Sequence, residues 1–435
     1  MTTGAYHCGM TNDADVLIIG AGAAGLTAAR ELADHGVPSI VLEARDRVGG
    51  RCHTAYDLAT HPVELGAEFI HGENVATWRY IDRYGLHAID PTPHLHVRGW
   101  CHGRWFEQAE FLRAPNMRLV WKMHALARAW SGPGAPDMTV LDAARRSSDF
   151  FDQPPDDEEW QLWASQVGQY YGADLDELGL AGLLEATYDG DGERQQFRVV
   201  EGYSELWRRV AAGLDVRCAT PVRAIEWSDA GVKVDAAGGA YHGRCAIVTL
   251  PLALLQGAGV RFAPALPREK LDAIRRVGSG QVAKIILRYE RALWPSDTSF
   301  VFTTHDCGLL WIPGVGRDRP DAVITAFFGG SAARRFRALG EAAAIRDAAA
   351  HVSQLFGGAA GLLQGRYIDW AADRWAGMGY SFNAPGSAGA RDVLAAPVGD
   401  RLFFAGEACS RVRPSTVHGA IETGQRAARE VMAAG

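Results

Sequence analysis

Short apolar runs and amphipathic stretches alternate along this chain, and their order predicts most of its elements. Residues 16–19 are a continuous apolar run suited to a strand buried on both faces. Glycines follow at 20, 22 and 25, and LTAARELADHG after them reads as a helix that Gly36 stops. A second apolar run, 39–42, ends at Glu43. Strand, glycine turn, helix and strand in this order predict a βαβ unit with parallel strands. From about residue 73 to 195 tryptophan, histidine and helix-like spacing dominate. Residues 199–210 then read as a turn and a helix, and Val216, Val222, Val232 and Val234 mark short strands. CAIVTLPLALL (245–255) reads as one buried strand, and VAKIILRY (282–289) as a strand with a partly polar face. Residues 290–385 return to the texture of the middle region, with a helix around 332–356. Residues 386–391 (GSAGAR) read as a loop, and from Arg401 the pattern is strand, Gly-Glu, loop and a final helix.

This alternation predicts an α/β protein of two interleaved domains. A nucleotide-binding domain is assembled from 14–75, 196–288 and 386–435. A substrate domain is assembled from 76–195 and 289–385, and 1–13 form a flexible N-terminal extension. The 435 residues allow two or three domains. With 48% hydrophobic and 22% charged residues the chain is no disordered polymer. A net charge of −7 leaves no basic excess for a nucleic-acid backbone. The seven cysteines (8, 52, 101, 218, 245, 307, 409) are odd in number and contain no CxxC. That argues against a disulfide framework and for a reducing compartment. No run approaches the roughly 18 apolar residues of a membrane span, and the first residues lack the basic and apolar regions of a signal peptide. A soluble, cytosolic protein with no membrane or nucleic-acid partner is the expectation.

GAGAAG at 20–25 matches the GxGxxG fingerprint, in the setting the fingerprint requires. Gly20 permits the tight turn, Gly22 lets a pyrophosphate approach the backbone, and Gly25 lets helix and strand pack closely. Ala23 and Ala24 lie within the fingerprint and count with its glycines as cofactor-binding, and the N-terminus of the helix that follows supplies free N–H groups and partial positive charge. Glu43 can accept hydrogen bonds from both ribose hydroxyls and repels a 2′-phosphate. This disfavours NADP more than it separates NAD from FAD.

ARDRVGGR (44–51) follows Glu43 directly. It resembles the second flavin motif of the flavin-containing amine oxidases, a family that includes monoamine oxidases, polyamine oxidases and flavin-dependent histone lysine demethylases. The resemblance implies that Ala44, Arg45, Gly50 and Arg51 lie against the adenosine or pyrophosphate part of FAD. VELGAEFIHG (63–72) looks like the segment that passes the flavin ring, through Gly66, Ala67, Glu68 and Phe69, and then enters the substrate cavity. VVEGYSELWRRVA (199–211) looks like the return to the FAD domain, and Val222 matches the position whose backbone holds adenine. VAKIILRY places Lys284 at the family's lysine near flavin N5. Trp370 and Gly379-Tyr380-Ser381 match its tryptophan and active-site tyrosine. LFFAGEACSRVRPSTVHGAIETG (402–424) resembles the C-terminal flavin motif, with Gly406, Glu407, Thr416 and Val417 at the cofactor. The implied fold is a Rossmann-like FAD-binding domain with an interleaved α+β substrate domain. Gly379 stands where a covalent link needs cysteine, so the implied FAD is non-covalent. IHG after Phe69 and TVHGA at 416–420 look more like polyamine oxidases and demethylases than monoamine oxidases, and Thr416 replaces the second cage tyrosine.

The implied reaction oxidises the carbon beside an amine nitrogen, passes a hydride to the flavin, and reduces O₂ to H₂O₂. Small-molecule amine and O₂ are the implied partners. Lys284, His71 and Tyr380 are the implied catalytic residues: a fixed cation, a histidine for substrate binding or proton handling, and an aromatic wall. On pattern alone Lys284 is a solvated strand lysine, although Val282 and Ile286 share its face. Ser415 reads as the N-cap of the last helix, and Glu407 as a ligand of the ribityl or phosphate region. Trp375 reads as core. His94, His96 and His102 lack a completing acid or cysteine pattern, so no metal is expected. Residues 154–159 (PPDDEE) read as a helix start with a solvated acidic face. Glu185, Asp189 and Asp191 are candidates for a distal ammonium. An L-amino-acid oxidase needs an arginine for the carboxylate; Phe69-Ile70-His71 occupies its usual place, leaving Arg98 and Arg104. A non-catalytic FAD scaffold is the alternative of another class.

Overall fold

The computed structural model describes residues 12–111, 113–114, 122–130, 137–147, 150–185, 195–257 and 259–435. Its first sheet has eight strands. β1 (Ala14–Ile19) lies between β2 (Ser39–Leu42) and the strand Gly239–Val248, parallel to both, with Ile18 opposite Val41 and Ile247. Leu402–Phe404 pairs parallel to Gly239–Val248, and Asp215–Arg217 extends the sheet beyond β2. Helix α1 (Ala23–Asp34) crosses from β1 to β2 and packs on the last helix, Val417–Ala433. That packing is close because Gly424 has no side chain; a Cβ there would lie 2.2 Å from the Ala24 carbonyl oxygen. Asp13 exchanges hydrogen bonds with His242, so the pairing of β1 with Gly239–Val248 begins inside the expected extension. Residues 1–11 lie outside the described residues.

The second sheet runs Leu362–Asp369, Val282–Tyr289, Val323–Gly329, Leu309–Trp311, Phe300–Thr303, Val97–Cys101 and Arg104–Phe106. Val282–Tyr289, grouped by sequence with the nucleotide-binding segments, is therefore a strand of the other sheet. It pairs antiparallel on both edges, with Lys284 between Phe327 and Ile368. Both its faces are covered. Ala283, Ile285 and Leu287 pack with the helix Glu341–Phe356, and Ile286 packs with Ala55, Leu58, Val63 and Leu65. Only Arg288, paired with Asp321, keeps part of its side chain in water, and Lys284 is buried with the rest. A small three-stranded sheet, Phe69–His71, Gln196–Val199 and Ala88–Ile89, carries the chain between the two larger ones.

Other boundaries move for local reasons. The 245–255 run splits at Pro251: the strand ends at Val248 and a short helix, Leu252–Gln256, follows. Proline cannot donate to a ladder but suits a helix start. The 332–356 helix is two helices, Gly330–Leu339 and Glu341–Phe356, divided at Gly340, whose φ of 78° breaks the first. The 386–391 loop already turns helical at Ala390–Ala395. The acidic stretch opens the helix Asp157–Tyr171, where Asp156 and Glu159 form a reciprocal capping box.

Candidate functional site

The glycine turn closes by contact. Gly20 has φ 106°, and a Cβ on Gly25 would lie 1.9 Å from the Gly20 carbonyl oxygen, so helix and strand touch there. Gly22 has open space where a Cβ would point, and α1 starts without a side-chain cap. The turn thus presents free N–H groups around an open cradle, the arrangement that takes a pyrophosphate. Glu43 is buried at the end of β2, and its carboxylate accepts from Ala21 N at 2.7 Å and Arg45 N at 2.9 Å. The 44–51 loop folds over the turn: Gly49 N donates to Ala21 O, and a Cβ on Gly50 would lie 3.2 Å from Gly22 Cα. Ala44 lies between Glu43 and Arg45 on this loop. The segment before Val222 joins the same end, with Ala219 N on Arg45 O and Thr220 N on Glu43 O.

Arg45 forms a bidentate pair with Asp373, at 2.7 and 2.9 Å, a partner 328 residues away that leaves no local sign in the sequence. Arg51 donates to Gly379 O at 2.7 Å and to Glu407 at 3.0 Å. Glu407 also accepts from Ser381 Oγ at 2.6 Å and Ser415 N at 3.0 Å. Burial pushes the Glu407 carboxyl up, and the positive charges of Arg51 and Arg391 more than reverse this, leaving it below its ordinary range. The 51, 379–381 and 406–416 segments therefore meet at one carboxylate. Gly406 beside it has φ 135° and open space where a Cβ would point. The N-cap of the last helix is Thr416, whose hydroxyl accepts from Gly419 N at 3.0 Å; Ser415 instead has φ 65° and bonds Ser381 O. Val417 opens the helix.

Residues 64–69 run between the cradle and the second sheet. Gly66 leaves no room for a side chain, since a Cβ would fall 1.8 Å from Arg51 O and 3.0 Å from the Trp370 ring. Ala67 N donates to Arg51 O, and Trp370 Nε1 to Leu65 O at 3.0 Å. Beneath this segment Lys284 is 3% exposed. Its Nζ donates to Gly66 O at 2.7 Å, Glu64 O at 3.0 Å and the Glu68 carboxylate at 3.3 Å. Burial lowers its pKa, opposed by the charges of Glu68 and Glu64. The Glu68 side chain points into this cluster rather than along the 66–69 backbone.

Phe69 carries the next wall, 5.6 Å from Trp311 and 6.1 Å from Phe300 between ring centroids. His71 bonds Gln196 through Nδ1 at 2.7 Å and faces His418 edge-on. Burial lowers the His71 pKa against the Gln196 hydrogen bond, so the ring is neutral near pH 7. Burial pushes His418 down to about 3. The Tyr380 hydroxyl bonds the Gln169 carbonyl, which fixes its ring beside Gly172 and Val282. Gln196 and Arg198 escaped sequence reasoning. Their spacing of two puts them on one strand face, opposite His71 and Phe69, which is the signal that could have found them.

Several other candidate residues are engaged elsewhere. Arg98 is held by Glu107, Asp297 and Thr298, and Arg104 by Glu110. His96 pairs with Glu107, whereas His102 sits beside Cys101 and Glu158. Glu185 accepts from Gly389 N at 2.7 Å; Asp189 and Asp191 lie outside the described residues. Trp375 is not core: it is partly exposed beneath the Arg374 guanidinium, 4.1 Å away.

A mixed sheet whose parallel core carries this cradle, closed by a second sheet whose one buried lysine underlies the joining loop, defines a dinucleotide-binding flavoprotein. The chain belongs to the flavin containing amine oxidoreductases, whose family model matches residues 23–432. It is 28% identical to polyamine oxidase 2 of Arabidopsis thaliana over 97% of this chain and 88% of that one. It is 27% identical to lysine-specific histone demethylase 2 of Homo sapiens over 96% of this chain, and spans 53% of that protein. Cyclohexylamine oxidase from Brevibacterium oxydans IH-35A shares the fold at a TM-score of 0.82 and 24% identity, covering 96% and 98% of the two chains. Putrescine oxidase bound to putrescine does so at 0.80 and 21%, covering 97% and 99%. FAD is the cofactor of this family, and the space at Gly22 and Gly406 with Glu43 between backbone donors fits it. Among the described residues no helix is long and apolar enough to cross a membrane.

Proposed function

We propose that this protein is an FAD-dependent amine oxidase of polyamine-oxidase type, acting in the cytosol with a non-covalent flavin. When bound, the flavin takes a hydride equivalent from the carbon beside the amine nitrogen and returns electrons to O₂, giving an imine and H₂O₂. One observation carries the reading: a fully buried lysine side chain, Lys284, fixed by three acceptors directly under the 64–68 segment. A fixed cation in a dry site stabilises negative charge that develops on oxygen without reorganisation.

The other residues act on the amine. His71, held neutral by burial, accepts the proton that an ammonium substrate must lose before its carbon is oxidised. Gln196 fixes the ring through Nδ1, leaving Nε2 to take that proton. Phe69, Trp311 and Tyr380 orient the substrate and exclude water. Thr416 opens the helix whose N-terminal N–H groups favour negative charge on the adjoining ring. The carboxylate-binding alternative has little support, because Arg98 and Arg104 already pair with acids.

Anaerobic mixing of the flavin-loaded protein with a panel of amines tests this. Bleaching of the flavin's visible band by spermine, spermidine or N-acetylated polyamines is the expected result. Bleaching only by L-amino acids overturns the polyamine reading. Bleaching by none of the panel favours the scaffold.

A further inference from the structure

The Glu68 carboxylate joins four separate elements. It accepts from Arg198 Nε at 3.0 Å, from Trp311 Nε1 at 3.0 Å and from Lys284 Nζ at 3.3 Å. Its side chain is 3% exposed, that of Lys284 4% and that of Arg198 5%. Charges so far from water persist only when paired. The neighbouring Glu64 is a different kind of acid. Its carboxylate turns away to Tyr203 N and Thr54 Oγ1, and only its backbone oxygen meets Lys284. Among the described residues Glu68 is thus the one carboxylate in contact with Lys284.

The lysine has three acceptors, and only an ammonium has three hydrogens for them. A neutral amine would turn its lone pair toward a carbonyl or the carboxylate. The charges around it are Glu64 and Glu68 on the loop, Arg198 on the small sheet, and Arg317 and His61 behind the two acids. Without Glu68, Lys284 would face Arg198 in a buried site with no counter-charge touching it.

We propose that Glu68 is the positioning residue for Lys284: its carboxylate holds the ammonium charged and pinned beneath residues 64–66. The functional half of this inference rests on the oxidase reading; the protonation half does not. The chain has only four lysines, Lys122, Lys233, Lys270 and Lys284, so lysine-selective ¹³C labelling of the flavin-loaded protein gives four side-chain signals, assignable by substitution.

The Glu68→Gln signal for Lys284 is expected to deprotonate about 1–3 pH units below the parent's, with the other three unmoved. In parallel, photoreduced flavin-loaded protein, which needs no amine, is mixed with O₂. Reoxidation of Glu68→Gln is expected to fall at least tenfold at pH 9 and less at pH 6, because acid restores the ammonium. Lys284→Met should lose reoxidation at both pH values, and adding Glu68→Gln to it should change nothing further. Where Glu68→Gln does not fold, Glu68→Asp carries the test, with a smaller shift in the same direction. An unmoved Lys284 titration overturns the inference. A moved titration with unchanged reoxidation overturns only the role of the cation in the oxidase reading.

Discussion

The two ends of the candidate site are built by opposite means. At the cradle the working groups are backbone, apart from one carboxylate: the N–H groups that open α1, the space at Gly22, and beside them Glu43, held by two main-chain amides. Under the 64–68 segment they are side chains, and Glu68, Arg198, Lys284 and Trp311 arrive from four elements. A backbone device tolerates no extra atoms but is indifferent to charge. A side-chain device tolerates small changes of shape but fails when one charge is removed. The difference sets what each substitution should do.

The largest effect is expected at Gly25. Gly25→Ala puts a Cβ 1.9 Å from a backbone oxygen, and neither helix nor strand can yield. A loss above about 4 kcal/mol is expected, read as a collapse of soluble, flavin-loaded protein. Gly22→Ala is the control. Its Cβ meets nothing within 4 Å, so the fold should keep its melting temperature while flavin affinity falls at least tenfold, a measure of about 1.4 kcal/mol. Equal loss of stability in both variants would break the distinction between packing glycine and cradle glycine.

The same contrast explains what could be read from the chain. The cradle was legible because Gly20 and Glu43 lie within one βαβ unit and their roles follow from spacing. Lys284 was placed by resemblance alone; its strand alternates too little to betray a buried cation, since both faces of Val282–Tyr289 are covered. Glu68 looked like part of the flavin-facing backbone, because its three partners lie 130 to 243 residues away. Asp373 for Arg45 and Ser381 for Glu407 were hidden for the same reason. Pairings across two interleaved sheets leave no local pattern.

Next in size is the charge cluster. Glu68→Gln leaves Lys284 and Arg198 facing each other with no counter-charge and should cost about 3–5 kcal/mol in urea unfolding, more than the lost area of contact implies. Adding Arg198→Met removes the like charge and should recover part of that loss. A double variant no more stable than Glu68→Gln alone would show that shape, and not charge, sets the stability at this end.

Acid should act in two separate regions through buried neutral histidines. His418 lies edge-on to His71, and His351 lies in the helix Glu341–Phe356 that packs with Ala283, Ile285 and Leu287; each is pushed down to about 3, chiefly by burial. Below about pH 6.5 the unfolded chain binds protons that these rings refuse, so stability falls as pH falls, down to about pH 3. At pH 5 the loss is on the order of 2 kcal/mol for each ring. His418→Gln and His351→Gln should each remove their own share of the pH slope. A slope carried by one variant alone would place the acid sensitivity in a single region.

The smallest expected effect lies where the two designs meet. The Thr416 side chain does what backbone does at the cradle. Its hydroxyl accepts from Gly419 N and donates to Arg413 O, closing the first turn of the last helix. Thr416→Ala should cost about 1 kcal/mol in urea unfolding, and Thr416→Ser should restore it, because only the oxygen caps. On the proposed reading, in which this helix N-terminus faces the flavin ring, it should also lose alignment, so the flavin's reduction potential should drop in Thr416→Ala and return in Thr416→Ser. A potential that moves in both variants would mean that the threonine methyl, by packing, orients the helix rather than the cap.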